Sequence, residues 1–124
     1  NEIDIEYGKW GVPDAPALDY VVYPAKAGSP PSGWSFHVTD TSAENTQRFT
    51  WTPESVKLQA LSGHQNGDRK EYAAWTFTPK KAHQLVPQFA MPLHINLWLN
   101  AGLDPQDGKE VEVVIRNFTF TPAP

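Results

Sequence analysis

Proline and glycine residues are spread along the whole chain and limit every regular segment to a short length. The 124 residues include twelve Pro and eight Gly, and no segment keeps an i, i+3, i+4 apolar pattern over three helical turns. Short strand-forming runs between such residues are typical of an all-β sandwich or barrel. We predict one helical turn, within 80–86. The predicted strands are 2–7, 17–23, 34–39, 46–52, 55–61, 72–78, 92–99 and 110–120.

The composition is that of one globular domain covering 1–124. Hydrophobic residues make up 40% of the chain and aromatic residues 12%, which is incompatible with a disordered segment. The net charge is −4 and the basic residues are scattered, so no basic stripe indicates a nucleic-acid surface. No apolar run is long enough to span a membrane. Without cysteine, the chain has neither disulfides nor thiolate metal sites, and we predict no cofactor.

The first predicted strand carries an unusual row of acidic residues. In NEIDIEY, Ile3 and Ile5 alternate with Glu2, Asp4 and Glu6. Alternation with period two places the isoleucines on a core-facing side and the three acids together on the other. Acidic residues are poor strand formers and like charges on one face repel each other. The row is therefore either a solvated polar face or a functional cluster, and the pattern alone does not decide.

The predicted strand 92–99 carries a second polar face without charge. Its odd positions are apolar, while His94, Asn96 and Trp98 lie on the opposite side. An indole next to an amide suits sugar recognition, because the ring stacks on the CH face of a sugar and the amide binds hydroxyls. The alternatives are that Trp98 packs under a loop and that His94 is a structural histidine.

Two further strands place aromatic side chains on defined faces. Tyr23 shares a face with Asp19 and Val21, and Trp51 shares a face with Gln47 and Phe49 in TQRFTWT. We predict Tyr23 and Trp51 as substrate contacts, together with His94, Asn96 and Trp98. Which of these faces lines a cleft is not settled by the period.

Four segments together resemble glycoside hydrolase family 16, the family of lichenases, laminarinases and xyloglucan-modifying enzymes. The segments are NEIDIE followed by Tyr7, FTWTP at 49–53, NLW at 96–98 and the closing EVVIRNFTFTP. The resemblance implies a concanavalin-like jelly-roll β-sandwich of two curved antiparallel sheets with a sugar cleft on the concave face. It also implies retaining hydrolysis of internal β-glycosidic bonds. The regular E-x-D-x-E spacing, without an extra residue, favours a β-1,4-linked or mixed-linkage glucan.

The resemblance assigns a role to each acid of the first strand. Glu2 would be the nucleophile, Glu6 the general acid/base, and Asp4 would hydrogen-bond the nucleophile. Four residues of strand separate the two Glu Cα atoms by roughly 13 Å, and side chains leaning together reduce this to about 5–6 Å, near the retaining separation. Three carboxylates on one face cannot all ionise freely, so we expect one raised pKa.

The resemblance also sets expectations about completeness and location. The acid motif stands near the middle of a family domain but opens this chain, so we expect the C-terminal half of such a domain. A companion polypeptide or a second copy would supply the missing strands, and secretion or a periplasmic location is implied. Arg116 stands where a calcium-binding Asp is frequent, so we predict no metal there. The alternative functions are a non-catalytic carbohydrate-binding sandwich and a structural all-β interaction domain.

Overall fold

The computed structural model describes residues 1–122. The chain divides into two compact units, Asn1–Met91 and Pro92–Pro124. The single domain expected over 1–124 stays a prediction. The strands are β1 (Glu2–Tyr7), β2 (Leu18–Tyr23), β3 (Ser32–Phe36), β4 (Asn45–Trp51), β5 (Val56–Ser62) and β6 (Glu71–Phe77). A single-turn helix, α1 (Ala82–Leu85), and a 3₁₀ turn, Asn100–Gly102, complete the regular structure of the described residues. No helix within 1–122 has the length and apolar character needed to cross a membrane.

The first unit consists of two antiparallel three-stranded sheets, ordered β1-β2-β3 and β4-β5-β6. The all-β class, the first six predicted strands and the helical turn are confirmed. Strand β3 differs most, since it begins and ends earlier than the predicted 34–39. The central strands β2 and β5 are paired on both sides, which explains why their inward positions are the most apolar of the unit.

The two sheets share one hydrophobic core. Tyr20 of β2 and Leu58 of β5 are fully buried and belong to one cluster, and Ile3 and Ile5 of β1 pack against it. The remaining fully or nearly buried members are Leu18, Val22, Val56, Ala60, Ala73 and Val86. Because side chains alternate along a strand, burial of Ile3 and Ile5 turns the three acids of β1 to the outer face of the first sheet.

A hydrogen-bonded cluster joins the two sheets where β1 ends. The hydroxyls of Tyr7 and Tyr72 are 2.5 Å apart. The Gln47 amide donates to both hydroxyls, over 2.7 Å to Tyr7 and 3.1 Å to Tyr72. Burial, together with the bond to Tyr72, raises the pKa of Tyr7. The cluster therefore fixes the end of β1 that carries Glu6.

The second unit contains no strand among its described residues, so the predicted strands 92–99 and 110–120 are wrong for this structure. Their alternating apolar side chains are exposed, including Leu97 at 64%. An alternating pattern fixes only which side chains share a face, whereas a strand also requires a partner for its backbone hydrogen bonds. Side chains from both segments nevertheless line one open groove, formed by Ile95, Asn96, Leu97, Val113 and Ile115.

Candidate active site

The acids of β1 lie directly opposite three residues of β2 on the outer face of the first sheet. The antiparallel register pairs Glu2 with Tyr23, Asp4 with Val21 and Glu6 with Asp19. Directly paired residues share a face and have Cβ atoms about 4.5–5.5 Å apart. The sheet therefore brings Glu2, Asp4, Glu6 and Tyr23 together and adds Asp19 as a fourth carboxylate.

Beside this acidic row the outer face of the sheet carries small side chains. The register continues from Val21 to Gly33 and from Asp19 to Ser35 in β3. A Cβ atom at Gly33 would come within 2.8 Å of the Tyr20 carbonyl oxygen, so a side chain would require the backbone to shift. Val21, Gly33 and Ser35 thus form a shallow strip of small side chains along the acids.

Asp4 is the most perturbed carboxyl of the row. Burial, followed by the negative charges of Glu2 and Glu6, raises the pKa of Asp4 from its usual 3.8 to about 7. The protonated form also hydrogen-bonds Glu2, which contributes in the same direction. Near neutral pH, a protonated Asp4 can therefore act as the donor in a hydrogen bond to Glu2.

Glu6 also titrates above its ordinary range. Its pKa is raised by burial and then by the charges of Asp19 and Glu2. The pKa of Tyr23 is raised by burial and by the charges of all three acids of β1, which reflects how near its hydroxyl lies to them. A carboxyl with a raised pKa can supply a proton at a pH where an ordinary glutamate is ionised.

A tight turn after β1 brings an indole to the same face. Trp10 has φ of 52° and Gly11 has φ of 77°, both in the left-handed region. The Trp10 Nε1–H donates to Asp19 Oδ2 over 2.7 Å. Neither Trp10 nor Asp19 was predicted as a site residue. The sequence could have indicated Asp19, if β1 and β2 had been paired as a hairpin across their connecting turn. Trp10 could not be found in this way, because a turn conformation produces no periodic pattern in the sequence.

Trp51, which was predicted as a substrate contact, does not lie beside the acidic row. Its side chain is on the inner face of the second sheet, where it packs against the core. The Trp51 Nε1–H donates to the Pro87 carbonyl oxygen over 2.8 Å. The structure therefore brings Trp51 together with the core and not with the acids, and its role in substrate binding stays a prediction.

The three residues predicted from the segment 92–99 belong to the second unit. His94, Asn96 and Trp98 are exposed, with Trp98 at 59%. Asn96 contributes to the open groove of that unit. Their exposure is compatible with ligand contacts, and their grouping with the acidic row stays a prediction.

Within the part of the chain that the structure describes, no group of three or more His, Asp or Glu side chains is arranged to hold a metal ion.

Comparisons with protein-family models, with curated proteins and with solved structures found no match for this chain. The geometry of the acidic row is therefore the basis for the functional proposal.

Proposed function

We propose that this protein is a retaining glycoside hydrolase that cleaves internal β-glycosidic bonds of a β-glucan-type polysaccharide outside the cytoplasm. The observation that carries the proposal is the row of three acids on one sheet face, in which the pKa of Glu6 is raised and protonated Asp4 hydrogen-bonds Glu2. Two carboxyl groups flanking a scissile bond, one ionised and one protonated, are the requirement of retaining hydrolysis. The resemblance of NEIDIE to glycoside hydrolase family 16 supports the same conclusion.

In the proposed reaction, Glu6 and Glu2 act from opposite ends of the row. Glu6 donates its proton to the glycosidic oxygen while the Glu2 carboxylate attacks the anomeric carbon, so that the glycosidic bond breaks and a glycosyl ester forms. Ionised Glu6 then accepts a proton from water, whose oxygen displaces Glu2 at the same carbon. Two inversions give net retention. The raised pKa of Glu6 favours the protonated form that the first step needs.

Asp4 has a separate role in this scheme. In this scheme its proton hydrogen-bonds the Glu2 carboxylate before the reaction. When the glycosyl ester forms, that charge disappears, and the bond can weaken without moving either backbone. We therefore assign Asp4 to orienting the nucleophile and adjusting its charge during the two steps.

The shallow strip of Val21, Gly33 and Ser35 suits an extended polysaccharide. A β-1,4-linked glucan backbone is extended and flat over several sugar rings, and side chains larger than these would block it beside the acids. Tyr23, 38% exposed and opposite Glu2, presents an aromatic ring at one end of the row. Both features favour cleavage within a chain over removal of terminal sugars.

We further propose that the complete fold is the concanavalin-like jelly roll expected from the resemblance, and that a second polypeptide completes it. Among residues 1–122, the outer edges of β1, β3, β4 and β6 have no ladder partner. Trp34 is paired with Tyr20 on the inward side of β3 and yet is 59% exposed. Open edges and an uncovered inner surface are liabilities that sheet proteins normally cover.

Light scattering and intact-mass measurement test this part of the proposal. We expect the purified material to exceed the 13.9 kDa of one chain, either as a dimer or with a co-purifying polypeptide of roughly 100 residues. A stable, active particle of 13.9 kDa would contradict the need for a partner.

A non-catalytic carbohydrate-binding protein is the second candidate. It is favoured by the exposed Trp98 and Asn96, which could bind sugar without any chemistry. A panel of β-glucans separates the two candidates when assayed with the wild-type protein and with Glu2→Gln. Release of new reducing ends by the wild type alone supports hydrolysis, whereas equal glucan binding by both without release supports the binding protein.

Replacement of Trp98 tests its proposed sugar contact. We expect Trp98→Ala to raise KM, with a loss of about 1–3 kcal/mol of transition-state binding, and Trp98→Phe to restore part of it by keeping an aromatic face. The melting temperature should change little, because the indole is 59% exposed. A marked loss of stability with unchanged kinetics would assign Trp98 to packing.

A further inference from the structure

We propose that Asp19, held in place by Trp10, is a positioning residue that favours the protonated form of Glu6, the acid of the reaction. The inference rests on the proposed function, since it names the group that controls its acid/base. It concerns a strand and a turn outside the acid motif of β1. Three independent features of the structure support it.

The first feature is the cross-strand pairing of two like charges. Glu6 lies directly opposite Asp19 in the antiparallel register. Carboxylates in this relation destabilise a sheet, so the pair carries a cost that a lysine or threonine at position 19 would remove. The same arrangement disfavours simultaneous ionisation of Glu6 and Asp19, and protonation of one of them removes the repulsion.

The second feature decides which partner keeps the charge. The Trp10 indole N–H is a donor only, and it is bonded to Asp19 Oδ2 over 2.7 Å. A donor of this kind stabilises an ionised carboxylate. The proton of the pair therefore belongs on Glu6.

The third feature is the backbone of the turn that carries the indole. Trp10 has φ of 52°, a conformation that is uncommon for a bulky side chain. Gly11 follows with φ of 77°, which glycine adopts freely. With the turn in this conformation, the indole donor reaches Asp19.

The titration of Glu6 agrees with this placement. Asp19 is the strongest of the charges that raise the pKa of Glu6, ahead of Glu2. The titratable groups on this face of the sheet are Glu2 and Asp4 on the strand of Glu6, and Asp19 and Tyr23 on β2. The β3 positions that continue the register, Gly33 and Ser35, carry no titratable group. Asp19 is therefore the acid of a neighbouring strand that acts on Glu6.

The test is a carboxyl titration by NMR of the whole protein, with Asp19→Asn as the main variant. Removing the charge should lower the pKa of Glu6, and the alkaline limb of the kcat/KM profile should move to lower pH by the same amount. Trp10→Phe keeps the ring and loses the donor, so we expect a smaller shift in the same direction. Glu54→Gln removes one carboxylate from the exposed turn between β4 and β5 and should leave Glu6 unchanged.

The two readouts separate the inference from the proposed function. An unchanged Glu6 titration in folded Asp19→Asn and in Trp10→Phe would overturn the role of Asp19. A shifted titration in a protein that cleaves no glucan would keep the coupling between Asp19 and Glu6 and would refute the hydrolase. If Asp19→Asn fails to fold, the Trp10→Phe titration decides alone.

Discussion

Glu2→Ala should abolish turnover of a β-glucan, and added azide should restore it with an inverted product. The variant removes the carboxylate that would attack the anomeric carbon and leaves a cavity on the same face. Azide fits such a cavity and can attack once, without a second displacement. A glycosyl azide of α configuration, detected by NMR, is therefore the expected product, and kcat without azide should fall by several orders of magnitude.

Glu6→Ala is the matched comparison. Loss of a general acid/base should cost on the order of 10²–10⁴-fold for natural substrates and less for an activated leaving group. Azide should then displace Glu2 from the glycosyl ester and give the retained β product. If azide gives the inverted product with Glu6→Ala and no rescue with Glu2→Ala, the two roles are exchanged. Glu54→Ala, which removes a carboxylate from the second sheet's exposed turn, should behave as wild type.

Asp4→Asn should make the protein more stable at pH 8 while lowering its turnover. The pKa of Asp4 is raised from 3.8 to about 7 in the folded state, so the folded state binds its proton more tightly than the unfolded chain. Stability therefore falls as pH rises through this window, and the loss is complete above pH 7. Since Asp4 is half-exposed, screening leaves about 1–2 kcal/mol of the effect, or roughly 3–8 °C in Tm.

Thermal unfolding at several pH values measures this effect. The amide introduced by Asp4→Asn would keep a donor for Glu2 but would not ionise, so the variant should lose the decline in Tm between about pH 4 and pH 8 that Asp4 causes. Asp14→Asn, in the exposed turn between β1 and β2, removes the same charge and serves as the control. An unaltered pH dependence of Tm in Asp4→Asn would show that Asp4 titrates as an ordinary carboxyl.

The faces of the strands in the first unit could be predicted because side-chain alternation is a local property. Ile3 and Ile5 pack inward and the acids of β1 lie outward, as the period of two requires. The same rule separated Tyr20 from Asp19 in β2. Proline and glycine marked the intervening turns for a similarly local reason, since their effects act on single φ angles.

The remaining features depend on contacts between segments distant in sequence. Alternation at 92–99 and 110–120 could not supply ladder partners, and no strand forms there among the described residues. Trp51 lies on a face that alternation defined, but only the packing of the two sheets makes that face inward. The bond between Trp10 and Asp19 depends on a left-handed turn and on the register of β1 with β2.

The anomeric configuration of the first product tests the central claim most directly. The wild-type protein, with any polypeptide that co-purifies, is mixed with a mixed-linkage β-glucan and followed by proton NMR, with Glu2→Gln as the blank. Retaining cleavage by Glu2 and Glu6 predicts that β-anomer reducing ends form first and that the α-anomer grows only by mutarotation. First formation of the α-anomer, or equal and negligible release by wild type and Glu2→Gln across a β-glucan panel, would contradict it.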